Sequence, residues 1–212
     1  MAASCCDSGC AAPAPQSQEG YRRILWIALG VNLAMFVVEI VASLVSASVS
    51  LRADALDFLG DAANYALALA VFGMALRWRA GAALIKGGVM GAFGLWVAGS
   101  TIYHAIVATV PRAEMMSAIG LVALAANIAV ASLLYRYRRG DSQALSVWLC
   151  TRNDCLVNLA VIAAGAGVWA SDSPWPDIAV AAVIAGLGLS SAVRVTRRAL
   201  AEMGGAAAAP AE

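Results

Sequence analysis

Apolar residues run along this chain in six long blocks, roughly 24–49, 53–76, 82–110, 115–135, 144–170 and 177–193. Short polar joints such as "TVPRAE" (109–114) and "SDSPWPD" (171–177) separate them. Each block is near the ~20 residues that a helix needs to cross ~30 Å of hydrocarbon. The pattern predicts an all-α membrane protein, a bundle of six transmembrane helices over residues 22–200, flanked by flexible tails at 1–21 and 201–212. So little chain lies outside the blocks that any activity must sit in the bundle or in the tails.

The second block breaks the apolar rule. "SVSLRADALDFLGDAANYALALAV" (48–71) reads as a spanning helix, yet it holds Asp54, Asp57 and Asp61. Each carboxylate near mid-bilayer costs about 2.5–3.5 kcal/mol on insertion scales, so three in one span need a reason. At about 100° per residue, Asp54, Asp57, Asp61 and Asn64 share an arc of roughly 80° and form one polar stripe that faces protein or water. The fifth block carries a second stripe, Cys150, Asp154 and Asn158, over a similar arc. Face to face, the two helices bring Asp57, Asp61, Cys150 and Asp154 together as four ligands for a divalent transition metal, the sulfur favouring softer ions. Clustered carboxylates in a low-dielectric interior must be neutralised by metal or by protons, and alternation between the two is how a proton-coupled metal antiporter works. The competing structural reading pairs these acids with intramembrane bases. The candidate bases are Arg152, about 180° around the helix from the Cys150/Asp154 stripe, and His104, the one histidine of the chain.

Composition supports the membrane assignment. Hydrophobic residues make up 62% of the 212 and charged residues 13%, against about a quarter charged in soluble domains. The net charge of +1 points away from nucleic acid. Basic residues are unevenly placed: Arg22, Arg23, Arg77, Arg79, Lys86, Arg136, Arg138, Arg139, Arg194, Arg197 and Arg198 fall on one side, and only Arg52 and Arg112 on the other. By the positive-inside rule both termini are cytoplasmic. The first twenty residues lack the basic start and apolar core of a signal peptide. The expected setting is multi-pass in a bacterial inner (plasma) membrane.

The stretch "NLAMFVVEIVASLVSASVSLRADALDFLGDAANYALAL" resembles the first two helices of the cation diffusion facilitator family of six-helix metal/proton antiporters. Asn32 and Glu39 match in the first helix. Ser-x-Ser-Leu-x-x-Asp-Ala then leads to a ligand pair, His or Asp followed four residues on by Asp, at Asp57 and Asp61. The family's second pair, usually His-x-x-x-Asp, is similar to Cys150 and Asp154. The resemblance covers about residues 22–200. It implies a roughly tetrahedral site near mid-membrane, loaded from the cytoplasm and emptied outside against protons. Against the family pattern, no cytoplasmic domain is expected after the sixth helix, "YRYRRGDSQ" stands in place of a His-rich loop, and Asp57 and Cys150 stand in place of the ligand histidines. Zinc and cadmium are the favoured cargo with cobalt next, and no cofactor is expected beyond the transported ion.

Other features carry weaker readings. "SCCDSGC" clusters Cys5, Cys6 and Cys10, either a capture point for soft cations or an incidental tail. An alternative function, a membrane-anchored metal sensor, would make that cluster the main site. Cys155, about 140° from Cys150, reads as a packing residue. His104 is an interfacial hydrogen-bonding histidine or a proton relay. Glu39 is expected to support the ligands from beside them or to handle protons, while Asn32, Asn64, Asn127 and Asn158 are expected to bond between helices. Gly87 and Gly91 have GxxxG spacing for close packing, within one subunit or across a homodimer. Trp26, Trp78, Trp148, Trp169 and Trp175 read as interfacial anchors. An alcohol phosphatidyltransferase-like enzyme also clusters aspartates at a helix end, but here "AANY" follows Asp61 and the second acidic cluster lies about ninety residues away, so no enzyme is expected.

Overall fold

The structure is a computed structural model that describes residues 18–70, 76–137 and 142–207. Among the described residues it is entirely helical: α1 (Gln18–Ser46), α2 (Val49–Ala70), α3 (Leu76–Val107), α4 (Ala113–Tyr135), α5 (Ser142–Ser171) and α6 (Trp175–Ala207). Six helices match the six apolar blocks. The helices begin earlier or end later than the blocks, because helical hydrogen bonding continues into the polar flanks. α6 runs to Ala207, beyond the expected boundary at 200.

Five helices are apolar and long enough to cross a membrane, and α2 is the exception. Arg52, Asp54, Asp57 and Asp61 make it too polar to face lipid. The fold solves this by position. α2 packs on α1, α3, α5 and α6, while the strongest pairings are α1 with α2, α4 with α5 and α3 with α6. Val49, Leu51, Ala53, Ala55, Leu56 and Phe58 of α2 are all buried. The outer helices instead expose their large apolar side chains, including Val37, Val41 and Leu44 of α1.

The α1–α2 joint is two residues long. Ala47 takes a left-handed conformation (φ 57°), and Ser48 caps α2 by accepting the Leu51 N–H at 3.2 Å. α3 and α5, which run in the same direction as α1, are also followed by left-handed non-glycine residues, Ala108 (φ 53°) and Asp172 (φ 47°). The N–H of each bonds back four residues, Ala108 to His104 O and Asp172 to Val168 O, satisfying carbonyls of the last turn.

The GxxxG face is used within the chain. A methyl group added at Gly87 would lie 3.3 Å from the Thr196 backbone nitrogen of α6, and one at Gly91 would touch Ala192 at 3.9 Å. This settles one of the two packing alternatives: the glycines let α3 and α6 approach closely inside one subunit.

Candidate functional site

The acidic stripe of α2 faces inward as its period predicts, and its members acquire partners from three helices. Asp61 is buried, and its carboxyl comes within hydrogen-bonding range of Asp154 on α5. Two acids far apart in sequence thus meet across the α2–α5 contact. Tyr65, one turn beyond Asp61, donates its hydroxyl to Asp61 Oδ2 at 3.2 Å and pairs with Thr151 Oγ1 of α5 at 2.8 Å. Tyr65 and Thr151 are both enclosed, and nothing in the sequence singled them out. An aromatic in an apolar run looks like core, and only the facing helix shows what its hydroxyl does.

Asp54, on the far side of the stripe, lies against Glu39 of α1, both fully enclosed. Asp57 stands between the two acid pairs, in electrostatic reach of Glu39 and of Asp154, and is half-buried. Of the four expected ligands, the structure brings Asp61 and Asp154 together and sets Asp57 nearby. Cys150 lies on α5, but its side chain is outside the described residues, as are Cys5, Cys6 and Cys10. Among the described residues, no three His, Cys, Asp or Glu side chains converge closely enough to hold a metal.

Several interior polar atoms here lack a protein partner: both carboxyl oxygens of Glu39, Oδ2 of Asp54, Oδ1 of Asn32 and the whole amide of Asn158. The expectation that the asparagines bond between helices is met by Asn64, which accepts from Lys86 of α3, and not by Asn158 or by Asn32, whose Nδ2 donates to Ala28 O within its own helix at 2.8 Å. Buried polar groups without a protein partner are costly in an apolar bundle.

Two basic residues are not where the charge count placed them. Lys86 was expected at an inner joint, but α3 begins ten residues earlier, at Leu76, and Lys86 is buried in the bundle. Its Nζ donates to Asn64 Oδ1, and Asn64 hydrogen-bonds Asp61 in turn. Arg52, expected at an outer joint, is buried in the first turns of α2 with its guanidinium 4.9 Å from the Trp96 ring centre. Arg152, by contrast, is exposed over Trp148 at 5.5 Å, away from the acids as its helical angle predicts. Cys155 is a half-buried packing residue whose thiol donates to Thr151 O at 3.5 Å. His104 is half-buried beside Tyr103, and its Nδ1 makes no hydrogen bond. Trp26, Trp78, Trp169 and Trp175 are exposed, as interfacial anchors should be.

A bundle of membrane helices that buries opposed acids from different helices in its interior has the construction of a membrane cation transporter. The cation efflux transmembrane domain matches residues 25–203, and the chain belongs to that family, the cation diffusion facilitators. A comparison with curated proteins found no match. Membership makes this an integral, multi-pass membrane protein that moves metal cations, and places it with transporters rather than enzymes.

Proposed function

We propose that the chain exports a divalent transition metal in exchange for protons, with Asp57, Asp61, Cys150 and Asp154 as the transport ligands. The observation that carries this reading is the meeting of the Asp61 and Asp154 carboxyls across two helices in the interior. One carboxyl from each helix gives a site that either helix can open or close by shifting, as alternating access requires. A thiol among carboxylates favours zinc and cadmium, with cobalt next. The termini face the cytoplasm of a bacterial inner membrane, and the tail cysteines Cys5, Cys6 and Cys10 assist capture. A homodimer would use helix faces other than the Gly87–Gly91 seam, which α6 of the same subunit occupies.

The test is uptake of Zn, Cd, Co and Mn into proteoliposomes under an imposed pH gradient, with pyranine reporting protons inside. The intact chain should move metal against protons, and Asp61→Ala should be silent. Replacing Cys5, Cys6 and Cys10 together should slow uptake without abolishing it. Transport by Asp61→Ala at the intact rate would refute the assignment.

A further inference from the structure

Lys86 is the only lysine in the 212 residues, and the packing of α3 on α2 fixes where it stands. Three contacts repeat every four residues along the antiparallel pair. Lys86 bonds Asn64, Met90 Cε sits 2.9 Å from where a Gly60 methyl would be, and Leu56 lies 3.5 Å from the same point on Gly94. The register of this ladder, not one side-chain rotamer, sets Lys86 level with Asn64 and one turn from Asp61. On its other side α3 is held to α6 by Gly87 and Gly91. Lys86 is therefore a point at which α3, backed by α6, touches the polar stripe.

We propose that Lys86 is a resident counter-cation of Asp61, acting through Asn64, which the transported metal displaces on binding. The inference rests on Asp61 being a transport ligand, as proposed above. With no metal bound, the ammonium offsets one carboxylate charge in an interior where unbalanced charge is expensive. A divalent cation binding at Asp61 and Asp154 supplies that charge itself and repels the ammonium across one intervening amide. The same repulsion weakens metal binding, and its relief requires Lys86, and with it the face of α3, to move relative to α2. Lys86 is thus a positioning residue that sets apparent affinity and links site occupancy to the α3–α6 pair.

Because there is one lysine, reductive methylation of the full-length protein in proteoliposomes reports on this side chain alone, with the N-terminal amine as reference. Zinc should speed Lys86 labelling severalfold. Asp61→Ala should label at the faster rate without zinc and gain nothing when zinc is added. In transport, Lys86→Gln should lower the half-saturating zinc concentration by about tenfold, and Lys86→Arg should shift it less. Zinc-insensitive labelling of the intact chain, or an unchanged or raised half-saturation in Lys86→Gln, would overturn the proposal. Metal movement by Asp61→Ala would instead refute the transport site, while a silent Asp61→Ala with zinc-insensitive Lys86 defeats only the counter-cation.

Discussion

The carboxylate of Asp177, in the first turn of α6, accepts the backbone N–H of Val49 at 2.8 Å, at the start of α2. It also accepts the Ser50 N–H at 3.0 Å and the Ser48 hydroxyl at 2.7 Å, so one side chain closes the N-terminus of the central helix from 127 to 129 residues away. The helix dipole adds to the attraction. α2 is thereby tied to α6 at one end of the polar stripe.

Asp177→Ala strands the buried N–H groups of Val49 and Ser50, each worth about 1–3 kcal/mol when left unpaired. Thermal unfolding in detergent should show a large drop in midpoint, with Asp177→Asn, which keeps one acceptor oxygen, falling between. A midpoint for Asp177→Ala equal to that of the intact protein would mean that the cap does not hold α2.

Tyr65→Phe removes the donor that orients Asp61 and leaves Thr151 without that bond. Groups one shell out from a metal ligand typically cost 10–100-fold in affinity, and about tenfold is expected here in half-saturating zinc, with folding retained. Thr151→Val should act in the same direction and more weakly. An unchanged zinc dependence in Tyr65→Phe would separate the hydroxyl from the transport site proposed at Asp61.

Glu39 and Asp54 are two enclosed acids side by side, and both oxygens of Glu39 and Oδ2 of Asp54 make no hydrogen bond of normal geometry. Glu39→Gln keeps the shape and supplies an amide donor to Asp54. Stability should rise by about 1 kcal/mol for the new hydrogen bond, while metal transport falls if the pair handles cations or protons. Midpoint and uptake measured on the same preparation decide it: a less stable protein with full transport contradicts the prediction on both counts.

Ala108 holds a left-handed conformation (φ 53°) after α3, where a Cβ is penalised by about 1–2 kcal/mol. Ala108→Gly relieves that strain and should raise the unfolding midpoint by about 2–4 °C. Ala47→Gly, at the α1–α2 joint, should behave alike. A lowered midpoint in either would show that glycine's extra freedom in the unfolded chain outweighs the relief.

What the sequence determined by itself follows from local periodicity and solvent preference. Apolar blocks predict six helices, five of them apolar enough to cross a membrane by themselves, because backbone groups in hydrocarbon must bond within their own segment. The 3.6-residue period requires Asp54, Asp57 and Asp61 to share a face, and the cost of charge in lipid requires that face to turn inward. The motif around them identified the family. Tertiary structure alone decided the partners. Asp61 meets Asp154 and Tyr65 meets Thr151 because α2 packs on α5, and no local pattern records which helices are neighbours. Lys86 reads as a boundary charge when residues are counted from the nearest apolar run, and becomes an interior one only because α3 starts at Leu76 and packs on α2 through Met90 and Gly94. Asp177 looks like a first-turn acid serving its own helix, yet its oxygens serve another. Helix content and facing are one-dimensional properties of a chain in a bilayer, whereas the pairing of polar groups across helices depends on packing between segments up to 129 residues apart.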